Sequence, residues 1–191
     1  MSHAEPSRTS KAVALACALL TGLAACGDDP FAFQWDDVPD TVVLYSLARP
    51  ELNLVSGFNF REARPIRVEA ATATGSWDVA VDTRGGELVL LPPGALGIVS
   101  RARVAPLGDV PFEDVVEAPE DTLAYVADTP VPLTVGTVYV VKTNQSLGSF
   151  SSRCVYHAKV EPVDVDVAQG TLTFRYVTNP VCNSRDLVPP D

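Results

Sequence analysis

Histidine is scarce in this sequence, and the common catalytic signatures are missing with it. The chain of 191 residues has two histidines, and only His157 lies beyond the N-terminal segment. A Ser-His-Asp or Cys-His site would have to use that one residue. The sequence also lacks the motifs G-x-S-x-G and H-E-x-x-H, a phosphate-binding loop and a dinucleotide fingerprint. We therefore expect a protein that is not an enzyme and carries no cofactor.

Basic residues are few as well. Lysine and arginine total 14 against 24 aspartates and glutamates, which gives a net charge of −10. Nucleic-acid binding requires a basic surface, so we expect no nucleic-acid partner. Electrostatic binding to anionic lipid is disfavoured for the same reason, and the acidity favours solubility of a β-rich protein.

Long hydrophobic runs are also missing. The longest apolar stretch, residues 12–20, is far shorter than the roughly 20 residues that a membrane-spanning helix needs. Arg8 and Lys11 precede it, which is the arrangement of a secretory signal peptide. We expect residues 1–25 to be that signal peptide.

The segment Leu23-Ala24-Ala25-Cys26 resembles the lipobox of bacterial lipoproteins, in which an aliphatic residue and two small residues precede the lipidated cysteine. The resemblance implies that Cys26 carries the lipid and that the chain is anchored to a membrane of the bacterial cell envelope. Gly27, rather than aspartate, follows the cysteine, which favours the outer membrane over the inner one. The alternative is an ordinary signal peptide with a chance cysteine. Residues 26–40 then form an acidic tether, and residues 41–191 a single β-rich domain.

Cys154 and Cys182 remain, and disulfides persist in the oxidising compartment that a signal peptide implies. Residues 155–165 and 171–178 have the pattern of two strands of a hairpin, joined by a turn at 168–170. A register that sets one cysteine opposite the other predicts a disulfide between them. Metal binding by the two isolated cysteines is the weaker alternative.

The same register places two further pairs opposite each other. Val160 meets Tyr176 on one face, and Glu161 meets Arg175 on the other, which is a favourable cross-strand charge pair. One register thus satisfies an apolar pair, a charge pair and the disulfide. It also places His157 on the more polar face, where we expect a surface histidine rather than a haem or metal ligand.

Short β-branched runs between turns recur along the chain, with 16 prolines and 12 glycines. They predict an all-β fold, a single antiparallel sandwich or partly open barrel of about nine short strands. At most one short helical turn is expected, within residues 109–120. The predicted strands are residues 41–47, 65–71, 76–82, 87–91, 96–104, 123–127, 137–143, 155–165 and 171–178.

Two groups of residues are candidates for binding or chemistry. The first consists of carboxylates that could pair as acid and base: Asp78, Asp82, Glu113, Asp114, Glu117, Glu120 and Asp121. We interpret the cluster at residues 113–121 mainly as a solvated acidic loop. The second consists of aromatics, which could line a cleft but which more often form a core: Phe31, Trp35, Phe58, Phe60 and Trp77.

Four segments follow one another along the chain: WDVAV at 77–81 followed by Gly85-Gly86, VYVVKT at 138–143, AKV at 158–160, and residues 170–176. Together they resemble the HmuY-like family of bacterial surface lipoproteins. The resemblance implies a β-rich scaffold, in which the family prototype binds haem iron between two histidines. The chain beyond the signal has only His157, so haem binding does not carry over.

Together these features predict a membrane-anchored lipoprotein with a non-enzymatic β-rich domain that binds an unidentified ligand or partner. One alternative is a structural or assembly lipoprotein that docks on an envelope protein complex. Another is a hydrolase that uses paired carboxylates. The sequence predicts no oligomeric state.

Overall fold

The computed structural model describes residues 33–148 and 151–190, and one compact unit spans Trp35–Pro189. The predicted signal peptide and Cys26 lie outside the described residues. Within these two ranges, no helix has the length and apolar character required to cross a membrane.

The predicted all-β sandwich is confirmed. Twelve strands occur in the described ranges, and ten of them form two five-stranded antiparallel sheets. The first sheet has the order β1-β12-β11-β8-β6. Its strands are β1 (Asp40–Tyr45), β6 (Arg103–Gly108), β8 (Val138–Lys142), β11 (His157–Asp166) and β12 (Thr171–Thr178).

The second sheet has the order β3-β2-β4-β5-β7. Its strands are β2 (Gly57–Asn59), β3 (Arg64–Ile66), β4 (Val79–Arg84), β5 (Glu87–Leu91) and β7 (Val131–Pro132). A separate short pair consists of β9 (Ser146–Leu147) and β10 (Arg153–Cys154).

The main core lies between the two sheets. Alternate residues of both sheets meet there, as expected for a sandwich. Four aromatic rings form its centre, with Phe58 edge-on to Tyr176 and to Phe60 at centroid distances of 4.9 Å, and with Phe174 beside them. The interpretation of Phe58 and Phe60 as core residues is therefore correct.

Both sheets are also covered in part on their outer faces. On the first sheet, Ala105, Val140 and Val177 pack beneath residues of the 112–125 segment and Leu187. On the second, a further cluster includes Trp77 and Leu91. Central strands such as β4 and β8 are consequently buried on both faces, which a simple inside–outside alternation does not anticipate.

Several predicted strand limits differ from the structure. The strand expected at 96–104 is replaced at its start by a 3-10 turn, Pro93–Leu96, which ends at Gly97 with φ 73°. Because proline lacks an N–H donor and Gly97 adopts a left-handed conformation, the chain reaches β6 only at Arg103. Further 3-10 turns span Phe112–Asp114 and Thr122–Ala124, so the expected limit of one helical turn is exceeded.

The predicted β11–β12 register is confirmed in its first half. Val160 pairs with Tyr176 and Glu161 with Arg175. The register then shifts between Pro162 and Asp164, where a bulge accommodates one extra residue.

Candidate functional site

The predicted disulfide between Cys154 and Cys182 is present, with Cα atoms 5.0 Å apart. Neither cysteine belongs to the β11–β12 ladder: Cys154 lies in β10 and Cys182 in the segment after β12. Asn183 reinforces the link. Its side chain accepts a hydrogen bond from the Val155 amide at 3.0 Å and donates one to the Arg153 carbonyl at 3.1 Å. The segment after β12 is thus linked to β10 and to Val155 by a covalent bond and by hydrogen bonds.

The expectation that His157 lies on the surface is wrong, since it is 4% exposed. Its Nδ1 lies 2.7 Å from the carbonyl oxygen of Ser184, an acceptor, so Nδ1 carries the proton. Burial lowers the pKa of His157, and the charges of Lys142 and Arg185 lower it further. The prediction failed because residues 184–187, which lie outside the predicted hairpin, cover the face of the first sheet on which His157 lies.

Arginines compensate much of the negative charge of the acidic loop at residues 113–121. Glu113 pairs with Arg175 at 3.1 Å, and both Glu117 and Glu120 pair with Arg185. These carboxylates are exposed, as the solvated-loop interpretation implies, but they are tied to cations rather than to one another. The arrangement does not bring them together as an acid–base pair.

Asp78 is a different kind of carboxylate, since it is 4% exposed. Its Oδ2 accepts the Phe60 amide at 2.9 Å and its Oδ1 accepts the Asn144 amide at 2.7 Å. Burial raises the pKa of Asp78 to about 6, although the two amide donors favour the charged form. Asp78 thereby connects the second sheet to the loop that follows β8.

Four of the five candidate aromatics lie in the described ranges. Three of them are buried in the clusters above: Phe58, Phe60 and Trp77. Trp35 is partly buried and packs against the outer cluster of the first sheet. Phe31 lies outside the described residues. In those ranges, no group of three or more histidine, cysteine, aspartate or glutamate side chains is placed to hold a metal ion.

The most distinctive surface feature is a pocket of about 230 Å³ lined by three cations. We call it the basic pocket, and its lining consists of Arg101, Arg103, Thr122, Tyr125 and Lys142. Every titratable group in this lining other than the tyrosine phenol is positively charged, although the chain as a whole is strongly acidic. Sequence analysis missed this site.

The strand register places two of the cations side by side. Arg103 of β6 is the direct partner of Lys142 of β8, and Lys142 is in turn the partner of His157 of β11. Directly opposite residues project to the same face of a sheet, and like charges in this arrangement destabilise it. A row of three nitrogenous side chains therefore crosses the first sheet at this end.

Local hydrogen bonds fix the rest of the pocket. The Arg101 amide donates to Oδ1 of Asn144 at 3.1 Å, the residue whose own amide is held by Asp78. Val104 and Val126 exchange backbone hydrogen bonds, which sets Tyr125 beside β6. Buried Asp78 thus acts, through Asn144, on the position of the first arginine of the pocket.

The opposite wall is formed by the Thr122–Ala124 turn and Tyr125. The Asp121 carboxylate caps this turn by accepting the Leu123 amide at 2.8 Å. The phenol of Tyr125 donates to the Pro119 carbonyl at 3.2 Å, and burial raises the pKa of Tyr125 to about 12. The tyrosine is accordingly a neutral, fixed wall at any ordinary pH.

The cations of the basic pocket lack acidic partners. Across residues 33–148 and 151–190, none of the ion pairs involves Arg101, Arg103 or Lys142. Arg175 and Arg185, by contrast, each contact two carboxylates. The arrangement can hold an anion, since guanidinium and ammonium groups form charge-assisted hydrogen bonds to oxyanions.

The sequence alone does not indicate that these cations share a pocket. Arg103 and Lys142 belong to different strands, 39 positions apart in the sequence, and a sequence alone does not reveal which non-consecutive strands are neighbours. Comparison of the chain with models of protein families and with curated proteins finds no match.

Proposed function

We propose that this chain is a lipid-anchored protein of the bacterial envelope whose β-sandwich binds an anionic ligand without transforming it. The basic pocket is the binding site in this proposal. The observation that carries it is the set of three cations, Arg101, Arg103 and Lys142, that share one pocket without a carboxylate. In a chain with ten more negative than positive charges, such a cluster is the natural place for an external anion.

The anchor in this proposal is Cys26, at the end of the lipobox-like segment. Two or three acyl chains give stable membrane attachment, so basic residues are not needed for it. The Cys154–Cys182 disulfide supports an oxidising location such as the periplasm or the cell surface. Gly27 favours the outer membrane.

The anchor can be tested separately from the pocket. Cys26→Ser removes the thiol that accepts the lipid, so metabolic labelling with a palmitate analogue should mark the wild-type protein and leave the variant unlabelled. Cys182→Ser serves as the matched control, since it removes a cysteine without touching the anchor, and it should keep the label. Label that persists on Cys26→Ser would refute lipidation at this residue.

Binding itself is tested by isothermal titration of the mature protein, purified in a non-ionic detergent, with simple anions at low salt. Heat of binding that disappears in Arg103→Gln supports the proposed site. Titrations without heat for every anion, acetate and phosphate included, contradict it.

A further inference from the structure

We infer that the ligand group held by the basic pocket is a phosphate monoester, an inference that rests on the anion-binding function proposed above. The alternatives that differ in chemistry are carboxylates and monovalent inorganic anions. Charge and geometry separate them from a phosphate monoester, and the volume of the pocket limits how much of the ligand it encloses.

Charge is the first of these. A carboxylate carries one negative charge and two oxygens, and a single arginine fork is enough to pair with it. Three cations would leave two positive charges uncompensated around a carboxylate. A phosphate monoester carries a charge of about −1.5 to −2 at neutral pH and three terminal oxygens. Its three oxygens equal in number the cations Arg101, Arg103 and Lys142, and its charge compensates more of theirs than a carboxylate does.

Geometry is the second argument, since the cations reach the pocket from different parts of the chain. Arg101 and Arg103 lie two positions apart, one before β6 and one at its start, while Lys142 comes from the end of the neighbouring strand. Thr122 adds a hydroxyl from the opposite wall. Donors that converge from three chain segments suit the diverging oxygens of a tetrahedral group better than the flat edge of a carboxylate.

The third argument is the volume of the pocket. The basic pocket, at about 230 Å³, is smaller than the roughly 300 Å³ at which pockets for complete drug-sized ligands begin. It accommodates a phosphate and the first atoms attached to it, so the rest of a larger ligand lies at the mouth.

The phosphate monoester has two possible sources, a soluble sugar phosphate or the headgroup of a phosphorylated lipid. Both present the same terminal group, and titration with each distinguishes them. The mature protein in non-ionic detergent is titrated with glucose 6-phosphate, with monomeric short-chain phosphatidic acid, with inorganic phosphate and with acetate. A pH of 8 keeps the monoesters dianionic, since their second pKa is about 6.

Phosphate monoesters should bind at least about tenfold more tightly than acetate, because they use two additional charge-assisted contacts. Arg103→Gln should weaken that binding by about tenfold or more, the loss of one such contact. Arg101→Gln should weaken binding by a similar factor. Because Arg101 is exposed, the fold does not depend on its side chain. Arg153→Gln, which replaces an exposed arginine outside this pocket, should leave affinity unchanged.

The ranking of the two organic phosphates identifies the source, and either ranking supports the inference. Acetate that binds as tightly as the monoesters, with binding lost in Arg103→Gln, overturns the phosphate assignment and leaves the proposed anion-binding function intact. Monoesters whose affinity is equal in wild type, Arg101→Gln and Arg103→Gln overturn the site. Wild-type protein that binds none of the four anions overturns both the inference and the proposed function.

Discussion

Arg103 and Lys142 form a pair of like charges that destabilises the sheet. Five of the ten arginines in the described residues have acidic partners, yet Arg103 and Lys142 face each other across adjacent strands as two cations. Like charges directly opposite in a sheet destabilise it by up to about 1 kcal/mol. Arrangements of this kind are maintained at functional sites, where an external group supplies the missing charge. In the proposed function, a bound anion offsets the repulsion within this pair.

Asp78 gives a prediction for pH at the residue scale. Its pKa in the folded protein is raised to about 6 by burial, above the value of 3.8 for an exposed aspartate. Between these two values the folded state binds more protons than the unfolded state, so the contribution of Asp78 to stability increases as pH falls from 6 towards 4. Most carboxylates act in the opposite direction. The gain is at most about 3 kcal/mol, since one pKa unit corresponds to about 1.4 kcal/mol.

Denaturant unfolding of wild type and Asp78→Asn at pH 7 and at pH 4.5 measures this contribution. The unfolding free energy of the wild type, relative to that of the variant, should increase on acidification. The variant is the reference because it retains the other carboxylates, which titrate in both proteins. A wild-type-minus-variant difference that is constant with pH would show that Asp78 has an ordinary pKa.

At the scale of elements, the segment after β12 is held in place by the Cys154–Cys182 disulfide and by Asn183. The disulfide closes a loop with a sequence separation of 28 residues, which in the chain-entropy model stabilises by about 3 to 4 kcal/mol. Asn183 adds hydrogen bonds to Arg153 of β10 and to Val155 just after it, including its amide to the Val155 carbonyl at 2.9 Å. The fold should therefore survive the loss of the covalent bond at reduced stability.

The variant Cys154→Ala with Cys182→Ala should melt several degrees below the wild type with an unchanged far-ultraviolet spectrum, because a loss of about 1 kcal/mol already lowers the melting temperature by roughly 2–4 °C in a domain of 150–250 residues. Non-reducing peptide mapping of the wild type should recover the two cysteine peptides linked. Free alkylation of both thiols in the native, unreduced protein would contradict the pairing.

Sequence patterns predicted the parts of the fold that depend on local information. The β11–β12 hairpin, its cross-strand pairs and the nearby disulfide follow from residues close in sequence, and the turn signals indicate the all-β class. The burial of His157 did not follow, because it depends on the 184–187 segment covering an outer face of the first sheet. The basic pocket was missed for a related reason: β6 and β8 are not consecutive strands.

At the scale of the whole molecule, net charge and the basic pocket act in opposite directions. A chain with a charge of −10 repels anions at long range, and salt screens that repulsion within about 10 Å at moderate ionic strength. Attraction by the three cations operates at contact distance. In the proposed function, contacts inside the pocket therefore select the ligand, and the overall field of the protein does not.

Thermal unfolding of wild type and Arg103→Gln at low ionic strength, each with and without added anion, tests the central claim most directly. Arg185→Gln is the control, because this arginine contacts Glu117 and Glu120 and its loss should not raise the melting temperature. Without anion, Arg103→Gln should melt at or above the wild type, since it removes a like-charge pair. With saturating inorganic phosphate, the wild type should gain more in melting temperature than the variant. An Arg103→Gln protein that melts well below the wild type without anion, with equal shifts on adding phosphate, would show that Arg103 serves the fold and not a bound anion.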